Sequence, residues 1–372
     1  MITSLRLQNF KCFENQVLPF KPLTLLSGLN GTGKSSVIQS LLLLRQSFQQ
    51  GLLENGRLAL NGDLIHIGTA QDALFEGAKE NKIGFDLSLS EVDYEPRWIF
   101  VYDQVADVLT RIPWQPDGAV AITEYHSSLF NENFHYLQAE RLGPRRFFDT
   151  SNYLVSGQRQ LGPAGEFTAH FLSVWGENII PNSTLAHPSA ISLTLRHQVE
   201  AWLGEISPGT QINLTPNAGT DTITLQFGFM IDKVRSNWYR STNVGFGITY
   251  VLPILVAVLS SAPGSLLLIE NPEAHLHPKG QAQMGDLLAR AASGGVQVVV
   301  ETHSDHVLNG IRVAVHDGKI RPDDVQLHYF QRRKEEGQSQ VISPHIDQDG
   351  RIDTWPDGFF DEWDKNLEAL LD

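Results

Sequence analysis

The sequence predicts an α/β fold: a mixed, largely parallel core sheet interrupted by an α/β insertion. Two patterns carry this expectation. In the last third, the apolar runs Leu266 to Ile269 and Val296 to Val300 alternate with stretches of helical periodicity, as strands buried on both faces do. Near the start, the apolar run Leu23 to Leu26 enters a glycine-rich turn and then a leucine-rich helical stretch.

Taken in order, Ile2 to Leu7 alternates and Gln16 to Phe20 is a second short run, so both read as strands before the one at Leu23. Ser35 to Gln49 reads as a helix whose apolar face includes Leu41, Leu42 and Leu44. In the middle, Ile83 to Leu89, Trp98 to Tyr102, Val120 to Thr123, Phe134 to Gln138, Ile212 to Leu214 and Thr222 to Ile231 have strand character. Ala164 to Trp175 and Ala190 to Leu203 have helical periodicity. Ile248 to Ser260 is an apolar helix that Pro253 should kink. Helices at Gly280 to Ala292 and His306 to Val315 flank the strand at Val296, strands follow at Val325 to Phe330 and Gln340 to His345, and Phe360 to Leu371 closes the chain. No heptads are sustained and no repeat is visible, so a coiled-coil arm is not expected.

Composition narrows the function. The 372 residues include 42 acidic and 28 basic ones, a formal charge of −14. That excess disfavours a protein that coats nucleic acid with its whole surface, though a local basic patch stays open. With 19% charged and 41% hydrophobic residues the chain can build a core rather than stay disordered. The single Cys12 excludes an intramolecular disulfide framework and a cysteine-rich zinc module. No run approaches the ~18 apolar residues of a membrane span, and MITSLRLQNFK lacks the apolar core of a signal peptide. A soluble cytoplasmic protein is expected.

Gly28-Leu29-Asn30-Gly31-Thr32-Gly33-Lys34-Ser35 fits G-x-x-x-x-G-K-[ST] without mismatch, between a predicted strand and a predicted helix. The glycines let backbone N–H groups of the loop, including those of Asn30, Gly31 and Gly33, converge on phosphate oxygens, and the helix start adds partial positive charge. Lys34 would reach the β- and γ-phosphates of ATP, Ser35 would ligate Mg²⁺, and Ser36 extends the cradle. A plain glycine turn is the alternative that the strand-and-helix context disfavours. Farther along, four apolar residues end in an acid at Glu270, followed by Asn271-Pro272-Glu273. An acid at the tip of a buried strand beside such a loop would hold the Mg²⁺, directly or through water.

Together with Asn9-Phe10-Lys11, Leu137 to Arg146 (LQAERLGPRR), Ile269 to Pro278 (IENPEAHLHP), Glu301-Thr302-His303-Ser304 and Trp355 to Trp363 (WPDGFFDEW), these pieces resemble the P-loop, ABC-type ATPase heads of the SMC, RecF and OLD class. The likeness is strongest to compact prokaryotic ATPases grouped as AAA, whose C-terminal part has no assigned function. It covers both ends, residues 1–75 and 235–372, leaving 76–234 as a mixed insertion. The resemblance implies an ATP-driven homodimer working with a separate effector, such as a nuclease, in DNA metabolism or defence against foreign DNA. It makes His303 the switch histidine that senses the γ-phosphate and adds Lys11 to the nucleotide contacts. It places a signature loop at Ser241 to Gly247, with Asn243, Gly245 and Gly247 facing the partner's nucleotide, although the residues do not spell the usual signature. Gln71 is the candidate for the Q-loop glutamine.

The pattern departs in two places. Where many relatives carry a second acid after the Mg²⁺-binding one, this chain has Asn271, so slow hydrolysis is expected, with Asn271 or Glu273 positioning water. A Toprim nuclease needs roughly 100 further residues with clustered acids for two metals, and only 69 follow His303, so nuclease activity in cis is not expected. Two alternatives remain: an ATP-sensing scaffold that does not hydrolyse, and a RecF-like clamp on duplex DNA. The basic groups Arg141, Arg145, Arg146 and Arg332, Arg333, Lys334 are open to phosphate or to a partner, with solvation or intramolecular salt bridges as the alternative. His275 and His277 alone are weak evidence for zinc.

Overall fold

Strands β1 (Ile2–Phe10) and β2 (Phe13–Pro19) form an antiparallel hairpin in which Phe10 faces Phe13. Along β1, Leu5 and Leu7 are buried while Arg6 and Gln8 are partly exposed, the period-two alternation visible in the sequence. Then come β3 (Leu23–Gly28), α1 (Lys34–Gln49), β4 (Arg57–Ala59), the one-turn α2 (Ala70–Ala73), β5 (Lys82–Leu89), β6 (Arg97–Val101) and β7 (Val108–Thr110). An antiparallel sheet runs β2-β1-β5-β6, and β4 pairs with β7. The computed structural model describes all residues except 91–94, 114–124, 233, 333–338 and 372. The predicted strand at Val120 to Thr123, and Arg333 and Lys334, lie outside the described residues.

The chain continues through β8 (Phe134–Leu137), β9 (Phe148–Asp149), α3 (Thr168–Trp175), α4 (Leu195–Ile206), β10 (Thr210–Asn217), β11 (Thr222–Ile231), β12 (Val234–Arg235), β13 (Tyr239–Arg240) and α5 (Phe246–Ser260). It goes on with β14 (Leu266–Glu270), α6 (Pro278–Ser293), β15 (Gln297–Glu301) and α7 (Asp305–His316). The last elements are β16 (Val325–Arg332), β17 (Ser339–Ile342) and α8 (Glu362–Leu371).

Two compact units emerge. The first comprises Met1–Asn131, Gln326–His345 and Ile352–Asp372; the second comprises Glu132–Val325 and Ile346–Arg351. These boundaries cut the chain differently from the segments 1–75, 76–234 and 235–372. In the first unit, β16 lies between β17 and β3, so the C-terminal stretch returns to the N-terminal strands. In the second, β15, β14 and β8 run parallel, with Glu270 opposite Glu301 and Ile269 opposite Leu137. Leu266, Leu267, Leu268, Val298, Val299 and Val300 are fully buried, as their unbroken apolar runs require. Helices α6 and α7 approach backbone to backbone: a Cβ on Gly310 would sit 2.1 Å from the Ala282 carbonyl oxygen.

Two predicted helices start later than their periodicity suggested. Helix α3 begins at Thr168 rather than Ala164, because Gly162 and Gly165 take positive φ around Pro163. Helix α4 begins at Leu195 rather than Ala190, because Thr194 is extended and bridges to Ile179. Pro253 sits inside α5, with its ring facing Gly165 so closely that a Cβ there would lie 2.5 Å from Cγ.

Candidate functional site

In the first unit, β3 delivers the chain into the glycine-rich turn and α1 leaves it. Gly28, Gly31 and Gly33 take φ of 138°, 72° and 111°, which L side chains rarely adopt. Space is short as well: a Cβ on Gly33 would meet the Phe13 ring at 2.5 Å and Cys12 Sγ at 2.6 Å. Thr32 Oγ1 donates to the Leu29 carbonyl at 2.7 Å and tightens the loop. Lys34 is buried, and its ammonium donates to the carbonyls of Gly28 (2.9 Å) and Leu29 (2.8 Å). Leu29, Asn30, Gly31 and Ser35 are exposed, while Ser36 is buried. Helix α1 has neither a capping side chain nor an acid in its first turn, the kind of helix start that suits an anion. Lys11, at φ 51°, donates through Nζ to Gln39 Oε1 on α1 (2.5 Å), and burial holds its pKa below the usual range. Gln71 lies exposed on α2 and accepts from Gln104 Nε2 at 3.3 Å.

In the second unit the acidic turn leaves β14. Glu270 Oε1 accepts from the Tyr136 hydroxyl (2.9 Å), and Oε2 accepts from the Ala139 N–H (3.2 Å). Burial raises the Glu270 pKa, partly offset by these two bonds and by Arg141. The Tyr136 hydroxyl is pushed up by burial and by the carboxylate it serves. Asn271 takes a left-handed φ of 45°, its N–H donates to the Glu301 carbonyl, and its Oδ1 is buried without a hydrogen-bond partner among the described residues. Glu273 reaches the end of β15: Oε2 accepts from Thr302 Oγ1 (2.7 Å) and Oε1 from the His303 N–H (2.8 Å). Thus the turn after β14 is bound to the end of β15 at two points, Asn271 to Glu301 and Glu273 to Thr302 and the His303 backbone.

Three family models match parts of the chain. One for an AAA ATPase domain covers residues 1–93. An AAA domain model, named also for the AbiEii toxin of type IV TA systems, covers 197–309. A model of a protein of unknown function, DUF3696, covers 320–370. The DNA replication and repair protein RecF of Acholeplasma laidlawii (strain PG-8A) is 52% identical over 42 residues, which is 11% of this chain and 12% of that protein. A solved SmcHead bound to the C-winged helix domain of ScpA superposes with a TM-score of 0.55 at 15% identity, over 93% of this chain and 98% of the other. The Smc head domain with an extended coiled coil, derived from Pyrococcus furiosus and bound to the C-terminal domain of ScpA, superposes at 0.53 and 14%, over 100% and 99%. The fold is that of an Smc head domain.

The Ser241–Gly247 loop lies beside the acidic turn. A Cβ on Gly247 would fall 2.5 Å from the His275 carbonyl oxygen, so the α5 entry packs directly on that turn. Phe246, Tyr250 and His275 cluster with ring centroids 4.6 to 5.9 Å apart. His277 instead caps α6, accepting the Lys279 N–H at 3.3 Å. No group of three or more His, Cys, Asp or Glu side chains suited to a metal ion occurs among the described residues. Asn243 and Gly245 are exposed at the loop.

Arg141 separates from Arg145 and Arg146, with which the sequence groups it. It is buried, and its guanidinium donates to the carbonyls of Gln138, Tyr250, Glu270 and Asn271 at 2.6 to 3.2 Å. Burial lowers its pKa to about 10, still charged at neutral pH. Arg145 and Arg146 are exposed. Sequence reasoning also left Tyr136 and Glu301 without roles, and held Arg332 only as part of a basic run open to phosphate or a partner. Glu301 is buried opposite Glu270 at the end of the neighbouring strand. Two acids ending two adjacent apolar runs were a visible signal for it. Nothing in the sequence tied Tyr136 to Glu270, because that contact depends on strand register.

Proposed function

We propose that the chain binds ATP with Mg²⁺ and hydrolyses it slowly, and that two copies close head to head with nucleotide between them. The observation that carries this is the phosphate loop: three positive-φ glycines, a buried Lys34 and an uncapped helix start in one turn. On this reading residues 1–75 and 235–372 form the head, and 76–234 is inserted in it. The Ser241–Gly247 loop of one copy would meet the nucleotide on the phosphate loop of the other, with His303 near the γ-phosphate.

The residues suit the metal. The Ser35 hydroxyl and Glu270 carboxylate are the hard oxygen donors Mg²⁺ takes, and Glu270 is a half-buried acid whose ionisation a cation would favour. A Mg²⁺ held by such donors would neutralise phosphate charge. The chain's own groups divide the remaining work. Arg141 and Tyr136 hold the acidic turn in place. The Glu273 carboxylate is committed to Thr302 and His303, which supports a positioning role for it. The unpartnered Oδ1 of Asn271 is the better candidate for orienting water, and an amide cannot take its proton.

Multiple-turnover ATPase kinetics test this. Lys34→Ala should abolish turnover, Asn271→Ala should lower it, and Glu273→Gln should lower it by loosening the His303 segment. Rapid turnover unaffected by all three sinks the scheme. ATP-dependent assembly without turnover would favour the sensing scaffold.

One observation favours a DNA-binding reading. Arg145, Arg146, Arg235 and Arg240 are all exposed, flanked by exposed Phe147 and Tyr239, and the Ser241 hydroxyl donates to the Arg145 carbonyl, which ties the two stretches together. Such a patch supplies the concentrated charge an acidic protein needs to hold phosphate. The RecF likeness and the AAA model named for a toxin support a role on DNA or in defence; an effector such as a nuclease, working alongside, is part of the same proposal.

A further inference from the structure

The segment matched by the family of unknown function is built against the phosphate loop. Strand β16 runs next to β3, and the Phe330 carbonyl oxygen would lie 2.1 Å from a Cβ on Gly28, so the two backbones touch where the loop begins. The Ser27 hydroxyl donates to the His328 carbonyl, and the rings of Phe13 and Phe330 meet edge to face. The last residue of β16, Arg332, reaches the loop's exposed tip: Nη2 donates to the Gly31 carbonyl at 3.3 Å. A guanidinium has five N–H donors, and this contact uses one. The remaining donors sit in solvent beside Leu29, Asn30 and Gly31, all exposed. Among the described residues, no ion pair of Arg332 with an acid is found.

We propose that Arg332 binds the phosphates of the nucleotide held by this loop, which makes the C-terminal segment part of the nucleotide site. The inference rests on reading the loop as an ATP site. The chemistry is that of a planar cation offering paired donors to phosphate oxygens, placed by a strand that packs along β3.

The test is equilibrium binding of ATP and of inorganic triphosphate to the whole chain, for wild type, Arg332→Gln, Arg332→Lys and Lys34→Ala. Arg332→Gln should weaken ATP and triphosphate by a similar factor, roughly tenfold, the scale of one hydrogen bond to a charged group. Arg332→Lys should recover part of the loss, and melting without nucleotide should match wild type. ATP affinity unchanged in Arg332→Gln, while Lys34→Ala abolishes binding, overturns the proposal and leaves the site reading intact. A loss confined to ATP and not triphosphate also overturns it, as does a loss that tracks a lower melting temperature without nucleotide. If wild type itself binds no ATP, the site reading fails first.

Discussion

At the scale of single residues, Glu270 shows how function and stability pull against each other. Its carboxylate is fixed by Tyr136 and Ala139, and burial raises its pKa above the unfolded value. For an acid whose folded pKa is raised, the contribution to stability is fully present below the unfolded pKa and is lost as pH rises through the folded one. Glu270→Gln should therefore make the nucleotide-free protein more resistant to urea near neutral pH than wild type, with the difference closing below about pH 4.5. The same change should cut ATP turnover at least roughly tenfold, as loss of a group at a metal site does. Equal stability of the two proteins at neutral pH would show that the carboxylate is not strained by burial. Arg141 works in the opposite sense: its four carbonyl contacts fix the Glu270 and Asn271 backbone, so its charge goes into architecture.

At the scale of elements, β16 carries the most consequence. His328 on this strand is fully buried, with Nδ1 2.8 Å from Ser343 Oγ and Nε2 2.8 Å from the Pro19 carbonyl oxygen. Burial drops its pKa from 6.5 to about 4. A histidine with a lowered folded pKa contributes stability above its unfolded value that is lost as pH falls through the folded one. Between about pH 6.5 and 4, wild type should lose on the order of 3 kcal/mol at most from this group. His328→Gln should show a shallower acid slope in urea melts over that window, and parallel slopes would remove His328 from the account. Because β16 also packs on β3, loosening it should weaken nucleotide binding at the same pH.

At the scale of the whole molecule, the question is association. Sedimentation or light scattering should show a shift to dimer with ATP and Mg²⁺ that Lys34→Ala abolishes and Glu270→Gln prolongs. A particle whose size ignores nucleotide in all three proteins would remove the head-to-head switch. With a formal charge of −14, self-association depends on local complementarity against net repulsion, so the dimer should tighten as salt rises toward physiological strength.

The sequence by itself determined the α/β class, nearly every strand and helix of the last third, the phosphate loop and the acid at Glu270. Those features are written locally, in unbroken apolar runs, in a fixed glycine spacing and in an acid at the end of a run. It could not reveal that Arg141 is buried while Arg145 and Arg146 are exposed, since all three look alike within six residues. It left Asn271 and Glu273 as equal candidates for water, whereas tertiary contacts tie Glu273 to His303 and leave the Asn271 amide oxygen without a hydrogen-bond partner among the described residues. Nor could it place Arg332 at Gly31 or Tyr136 at Glu270. Such pairings join residues more than a hundred positions apart, and only strand order and register decide which distant side chains share a site.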